Sequence, residues 1–198
     1  MTVTYIQQTF NEERIVSAIG HWFDYARNRI FPNVMLFGWE SDLLVVTPSR
    51  YLWEIEVKCT LADWRSDSHK DKWKNKHWEN ISRFYYAVPE NLLVAKDPGM
   101  SMSERWWESL NLPEKVWEIP AFVPSWAGVL ALQQRKMGVN VRMVRHAQLL
   151  SKLKISDARL FALYHSTYFR FWRGGGMGPS VVVHDGQAQL LQSIADEA

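Results

Sequence analysis

Ile15, Ala18, Ile19, Trp22, Phe23, Ala26 and Ile30 recur three and four residues apart behind Asn11, so the hydrophobic positions alone predict an amphipathic helix over 12–30 with an asparagine cap. Pro32 and Asn33 break that pattern, and three short runs with strand character follow at 34–40, 42–47 and 51–59. The last two flank Pro48, Ser49 and Arg50, a connection short enough to demand an antiparallel hairpin. From 61 to 81 the chain is polar, with Trp64, Trp73 and Trp78 dispersed through it and no Gly or Pro, which predicts a long, mostly exposed helix. RFYYAVP reads as a buried strand stopped by Pro89. Residues 95–120 are irregular apart from a short helix announced by the capping box Ser101 to Glu104. AGVLAL (127–132) and VNVRMV (139–144) form a second hairpin around Lys136, Met137 and Gly138. Ser156 caps a final helix whose stripe of Leu160, Phe161, Tyr164, Thr167, Tyr168 and Phe171 is expected to pack inward.

The order helix, three strands, helix, strand points to an α/β fold. A chain of 198 residues with 47% hydrophobic and 22% charged residues has the size and balance of one globular domain, assigned to 1–173. GGGMGP then opens a Gly-rich linker and a weakly ordered tail, 174–198; without the Lys and Ser/Thr of a phosphate-binding loop it is a linker, not a nucleotide site. No apolar run approaches the length that crosses a bilayer, and the amino-terminal residues lack the order of a secretory signal. With Cys59 as the single cysteine, a cytoplasmic protein is expected. The net charge of +2 hides an uneven distribution: 133–173 holds nine Lys and Arg against one acid, Asp157. That excess fits a polyanion partner, because cationic side chains neutralise phosphates and release counterions; a solvated helix face is the plainer explanation.

Candidate chemistry gathers in SDLLVVTPSRYLWEIEVKCT, residues 41–60. Strand alternation sends Trp53, Ile55 and Val57 to one face and Glu54, Glu56 and Lys58 to the other, while Asp42 shares a face with Leu44 and Val46. A hairpin that pairs closely about its turn brings Asp42 to the side of Glu56 and Lys58. Neighbouring carboxylates repel unless a cation lies between them. An Asp, a Glu and a backbone carbonyl such as that of Val57 form a partial shell for Mg²⁺ or Mn²⁺, and Lys58 is placed to orient a water or offset developing charge. The alternative is a half-exposed strand with cross-strand ion pairs on its outer face. Cys59 points away from Lys58 by alternation and reads as a packed thiol. His69 and His77 lie in a helical stretch without zinc-finger spacing.

Asp42 followed by Glu56-Val57-Lys58 at the end of a hairpin that follows a helix resembles the D…(D/E)xK signature of the PD-(D/E)xK nuclease superfamily. IEVKCTLADWRSD, FYYAVPENLL and VPSWAGVLAL, in that order, resemble the MmcB-like DNA repair proteins and related small phage-encoded nucleases. The likeness spans roughly 34–132 plus the basic last helix. It implies a restriction-endonuclease-like αβββαβ core with a mixed central sheet flanked by helices, and a Mg²⁺- or Mn²⁺-dependent endonuclease that acts on DNA in repair or phage DNA metabolism, in the cytoplasm of a bacterial or phage-infected cell. It gives Asp42 and Glu56, with the Val57 carbonyl, to the metal, and Lys58 to the water and transition state. Asp67 and Lys70, which fall on one helix face with Asp63 and Lys74, become supporting or phosphate contacts, although an intrahelical ion-pair ladder explains the same spacing. Arg135, Lys136, Arg142, Arg145 and Arg159 are candidates for a phosphate track, with Arg159 alternatively bridging the last helix to the sheet. Ser41 stands where the superfamily motif carries proline. Glu12 and Glu13 are soft candidates for a first-helix acid, with helix capping the plainer explanation, and Glu40 and Glu54, which share parity with the site residues, are either further ligands or, more simply, outward charges. Members of this fold often dimerise to cut two strands, so a homodimer is one expected assembly. A nuclease-like fold that binds nucleic acid or a protein partner without cutting is the alternative, and a purely structural protein assembling through its tryptophans a third.

Overall fold

The computed structural model describes residues 12–67, 80–96, 116–135 and 138–172. Its strands are β1 (Arg29–Met35), β2 (Glu40–Val46), β3 (Leu52–Val57), β4 (Arg83–Pro89), β5 (Val94–Lys96), β6 (Val116–Glu118), β7 (Gly128–Arg135) and β8 (Gly138–Arg145). Six of them form one mixed sheet in the order β1-β2-β3-β4-β7-β8, and β5 pairs with β6 separately. β3, β4 and β7 are mutually parallel, while β1–β2, β2–β3 and β7–β8 are antiparallel. These three antiparallel pairs join consecutive strands and need only short turns. The parallel seam between β3 and β4 needs a crossover, which α2 (Leu61–Asp67) begins.

Period-two alternation divides the core into two layers. Leu43, Val45, Ile55, Val57, Tyr85, Ala87, Leu130 and Leu132 face Ile15 and Ile19 of α1 (Glu12–Trp22). Leu44, Val46, Leu52, Phe84, Tyr86, Val88, Val129 and Ala131 face Trp64 of α2 and Leu163 of α3 (Asp157–Trp172). Helices on both faces explain why β2 and β4 read as nearly unbroken apolar runs instead of alternating ones.

Several expectations hold and others are corrected. The hairpin around Pro48–Arg50 is present, closed by hydrogen bonds from the Thr47 amide to the Tyr51 carbonyl (3.0 Å) and from the Tyr51 amide to the Thr47 hydroxyl (3.0 Å). The first helix stops at Trp22, not at 30: Asp24 turns left-handed (φ 53°) and its carbonyl accepts the amides of Arg27 and Asn28. β1 therefore starts at Arg29 and runs through Pro32, which an edge strand tolerates because one row of its amides needs no partner in the sheet. β3 ends at Val57, so Cys59 lies beyond the ladder and is exposed, not a packed thiol. The stretch expected to be irregular over 95–120 begins and ends in the paired β5 and β6.

α3 is capped at Ser156 as expected, its hydroxyl accepting the Arg159 amide (3.3 Å), yet it turns a different face inward. Of the expected stripe Leu160 packs against the core, but Ala162, Leu163 and Ser166 are the buried residues, and Phe161, Tyr164 and Tyr168 are exposed. Small residues let the helix lie close to the sheet, and the larger rings are displaced outward. Of the helix expected over 61–81, Leu61–Asp67 is present, residues 80 and 81 are not α-helical, and 68–79 lie outside the described residues, as do the short helix expected after Ser101 and the linker and tail at 174–198. Among the described residues no helix is long and apolar enough to cross a membrane.

Candidate active site

The β2–β3 ladder runs from Val46–Leu52 to Leu43–Ile55, and Asp42 and Glu56 come next on the two strands, on one face of the sheet. Residues opposite one another on paired strands have Cβ atoms about 4.5–5.5 Å apart, so the hairpin register itself brings these carboxylates together. Past the ladder, the Asp42 side chain takes over from its backbone: the Val57 amide donates to Asp42 Oδ2 at 2.6 Å. The Lys58 amide donates to the Ala87 carbonyl (3.0 Å) and so points toward β4. Alternation then directs the Val57 amide and carbonyl toward β2, on the side where Asp42 stands.

The side chains that follow are not a solvated ion-pair face. Glu54, Glu56 and Lys58 are 1%, 2% and 4% exposed, and Asp67, at the end of α2, is 0% exposed. Lys58 Nζ lies 3.1 Å from Glu56 Oε2 and 3.2 Å from Asp67 Oδ1. The Tyr86 hydroxyl donates to Asp67 Oδ2 at 2.8 Å. Burial by itself would lower the pKa of the Lys58 ammonium, but the charges of Glu56 and Asp67, the hydrogen bond with Glu56 and the charge of Asp42 outweigh it and hold the pKa above the ordinary lysine value. Lys58 is thus a fixed cation, not a base. The Tyr86 hydroxyl is pushed well up, by burial first and then by Asp67, so it stays a donor.

Glu54, expected as an outward charge, is corrected: it is buried one row further into the sheet, where Trp39 Nε1 and the Ser41 hydroxyl both donate to its Oε1 at 3.0 Å. Ser41, standing where the motif's proline would be, contributes to holding this second carboxylate. Glu40 is exposed, as expected. Asp67 and Asp63 do not share an environment: Asp63 is exposed in the first turn of α2, where its amide donates to the capping Thr60 hydroxyl (3.1 Å), whereas Asp67 turns inward beside Trp64. Sequence reasoning missed Tyr86, Trp39 and Ser41. The signal for Tyr86 was its parity on β4 with the face that carries Glu56, with which it pairs in register.

The basic candidates separate. Arg142 pairs with Ala131, which pairs with Val88, so it lies on the site's face of the sheet, three strands from β3 and roughly 14 Å away at about 4.8 Å per strand. Arg135 is exposed at the end of β7. Arg145 donates to the carbonyls of Ala127 (2.8 Å) and Pro124 (2.6 Å), and burial lowers its pKa. Arg159 donates to Asn80 Oδ1 (3.1 Å) and lies over the Phe37 ring at 5.3 Å, so it joins the last helix to the segments that precede β4 and follow β1. Lys70 and Lys136, and the side chains of Glu12 and Glu13, lie outside the described residues.

Among the described residues no group of three or more His, Cys, Asp and Glu side chains is arranged to hold a metal. The donor set at the end of β3 nevertheless fits Mg²⁺ or Mn²⁺ in kind: two carboxylates and a carbonyl are all oxygen, and Mg²⁺ characteristically takes one or two carboxylates and leaves the rest of its shell to water and phosphate.

No family model matches the chain, and no curated protein matches it. Among solved structures, a protein of unknown function from Silicibacter pomeroyi is similar at 18% identity with a TM-score of 0.49, over 87% of this chain and 99% of that one.

Proposed function

We propose that the protein is a metal-dependent DNA endonuclease of the PD-(D/E)xK type. The observation that carries the reading is the convergence of Asp42, Glu56 and Lys58 at the ends of two paired strands, with Lys58 bonded to Glu56. The succession α1, β1, β2, β3, α2, β4 supports it, because this is the element order of the restriction-endonuclease-like core.

Asp42, Glu56 and the Val57 carbonyl would hold Mg²⁺ or Mn²⁺. Such an ion, when bound, polarises a phosphate and lowers the pKa of a coordinated water. Lys58 acts as a positioned cation. An ammonium has three N–H donors; Glu56 accepts one and Asp67 adds an ion-pair contact, which leaves a donor to serve a water or a phosphoryl oxygen as negative charge develops. Tyr86, by donating to Asp67, keeps that carboxylate aimed at Lys58. Arg142 and Arg135 supply charge for a DNA backbone, and Arg145 and Arg159 chiefly hold the fold around it.

A second reading has its own support. Glu56, Lys58 and Asp67 are at most 4% exposed, which is the condition of a structural charge network inside a nuclease-like fold that binds DNA without cutting it. Incubation with duplex, flap and single-stranded DNA in Mg²⁺ or Mn²⁺ separates the two. The endonuclease reading expects cleavage by the native chain, none in EDTA, and near-complete loss in Asp42→Ala and Lys58→Ala, with circular dichroism confirming that each variant folds. DNA binding with no cleavage in either metal supports the second reading. Equal cutting by all three proteins rejects the site.

A further inference from the structure

On the opposite layer of the sheet, at the other end of β3 and β4, lies a cleft of about 540 Å³ that the hydrolytic site does not use. It falls within the range of roughly 300–1,000 Å³ that small-molecule sites occupy. Its inner part is aromatic: Phe23 packs edge-on against Trp53 (centroids 5.7 Å apart) and Tyr85 (6.0 Å), and Trp22 packs edge-on against Phe23 (4.7 Å). Tyr85 can lie low there because residue 128 is glycine; a Cβ at that position would collide with the Tyr85 ring. Trp22 lines the cleft and keeps 37% of its surface exposed.

The cleft's polar side chains are two guanidiniums, Arg27 and Arg83, the His146 imidazole and one acid, Asp24. Arg83 is held in place by donating to the Ala147 carbonyl, and Arg27 is exposed on the turn that follows α1. Two guanidiniums favour a phosphate or carboxylate. Tryptophan faces favour a planar ring. A rim carboxylate favours a ligand that also carries N–H or O–H donors. A nucleotide unit unites all three features, whereas inorganic phosphate or an aromatic acid satisfies fewer.

We propose that this cleft binds one nucleotide, with its base against Trp22 and Trp53 and its 5′-phosphate toward Arg27 and Arg83. The nucleotide is either a free mononucleotide or the 5′-phosphorylated end of a strand. The two sources present the same chemistry and are told apart by comparing a nucleoside 5′-monophosphate with a 5′-phosphorylated single-stranded oligonucleotide. Because the cleft and the β3 end face opposite layers of the sheet, the site operates whether or not the chain hydrolyses DNA.

Isothermal titration of the full chain with a nucleoside 5′-monophosphate is the test, with the bare nucleoside and inorganic phosphate as partial ligands. One site per chain is expected, with both partial ligands at least about tenfold weaker, since stacking and charge each contribute on that scale. Trp22→Ala and Arg27→Glu, both at exposed positions, should each weaken binding about tenfold or more while the thermal midpoint stays within a few degrees, and Asp42→Ala should bind as the native chain does. Tighter binding of the oligonucleotide identifies a strand end; equal or weaker binding identifies the free nucleotide. No saturable binding at millimolar nucleotide, or binding indifferent to both cleft substitutions, overturns the proposal.

Discussion

Lys58 is the residue on which the buried charges of the β3 end depend. Its ammonium lies between Glu56 and Asp67, and removing one partner from a buried ionic cluster typically costs about 3–5 kcal/mol because the remaining charge stays desolvated. Lys58→Met is therefore expected to lower the urea unfolding free energy by about that amount. Tyr86→Phe removes only the donor to Asp67 and should cost about 1.5–3 kcal/mol, with cleavage falling more than stability if Asp67 positions Lys58 for chemistry. A nuclease assay beside the urea titration checks this, and a variant that loses stability alone assigns Tyr86 to packing. At this scale the motif Asp42, Glu56, Lys58 was readable from spacing, because strand parity is a local rule. That the same side chains are buried, and that Glu54 is held by Trp39 and Ser41, was not readable: burial depends on what the other layer puts over them.

Among the elements, the β2–β3 hairpin was the most legible, since its short turn leaves one topology and its register follows. The boundaries that failed had tertiary causes. α1 yields at Trp22 to a left-handed Asp24, although Ala26 and Ile30 continue the helical spacing, because Ile30 belongs to the edge strand that pairs with β2. α3 presents Ala162 and Ser166 inward where the aromatic stripe had marked the opposite side. β4 and β7 pair side by side at Tyr85 and Gly128, where an added methyl would meet the Tyr85 ring and approach the Ala147 amide nitrogen to 2.8 Å. Gly128→Ala should destabilise by about 1–3 kcal/mol, as overpacking of a filled core does, measured by chemical denaturation. An unchanged midpoint would show that Tyr85 can swing aside.

For the whole molecule, metal and DNA should act as linked ligands. If Asp42 and Glu56 hold Mg²⁺ or Mn²⁺, saturating metal at 100 times its Kd stabilises the native chain by about 2.7 kcal/mol, and differential scanning fluorimetry should show a rise in midpoint that EDTA reverses and Asp42→Ala abolishes. Arg142→Glu should weaken DNA binding and flatten its salt dependence, because one phosphate contact fewer releases fewer counterions; an unchanged salt slope would remove Arg142 from the interface. The basic excess over 133–173, read from sequence as one potential track, is divided in the structure between Arg142 on the site's face and the structural partners of Arg145 and Arg159. The linear order of residues determined the α/β class, the two hairpins and the face on which Asp42, Glu56 and Lys58 stand, because each follows from short-range periodicity and turn length. Only the tertiary structure decided that Asp67 from α2 and Tyr86 from β4 close around Lys58, and that aromatic and basic groups from α1, β3, β4 and the end of β8 meet in a second cleft. Those meetings join segments distant along the chain, and the packing of layers, which no local pattern encodes, sets which of them come within reach.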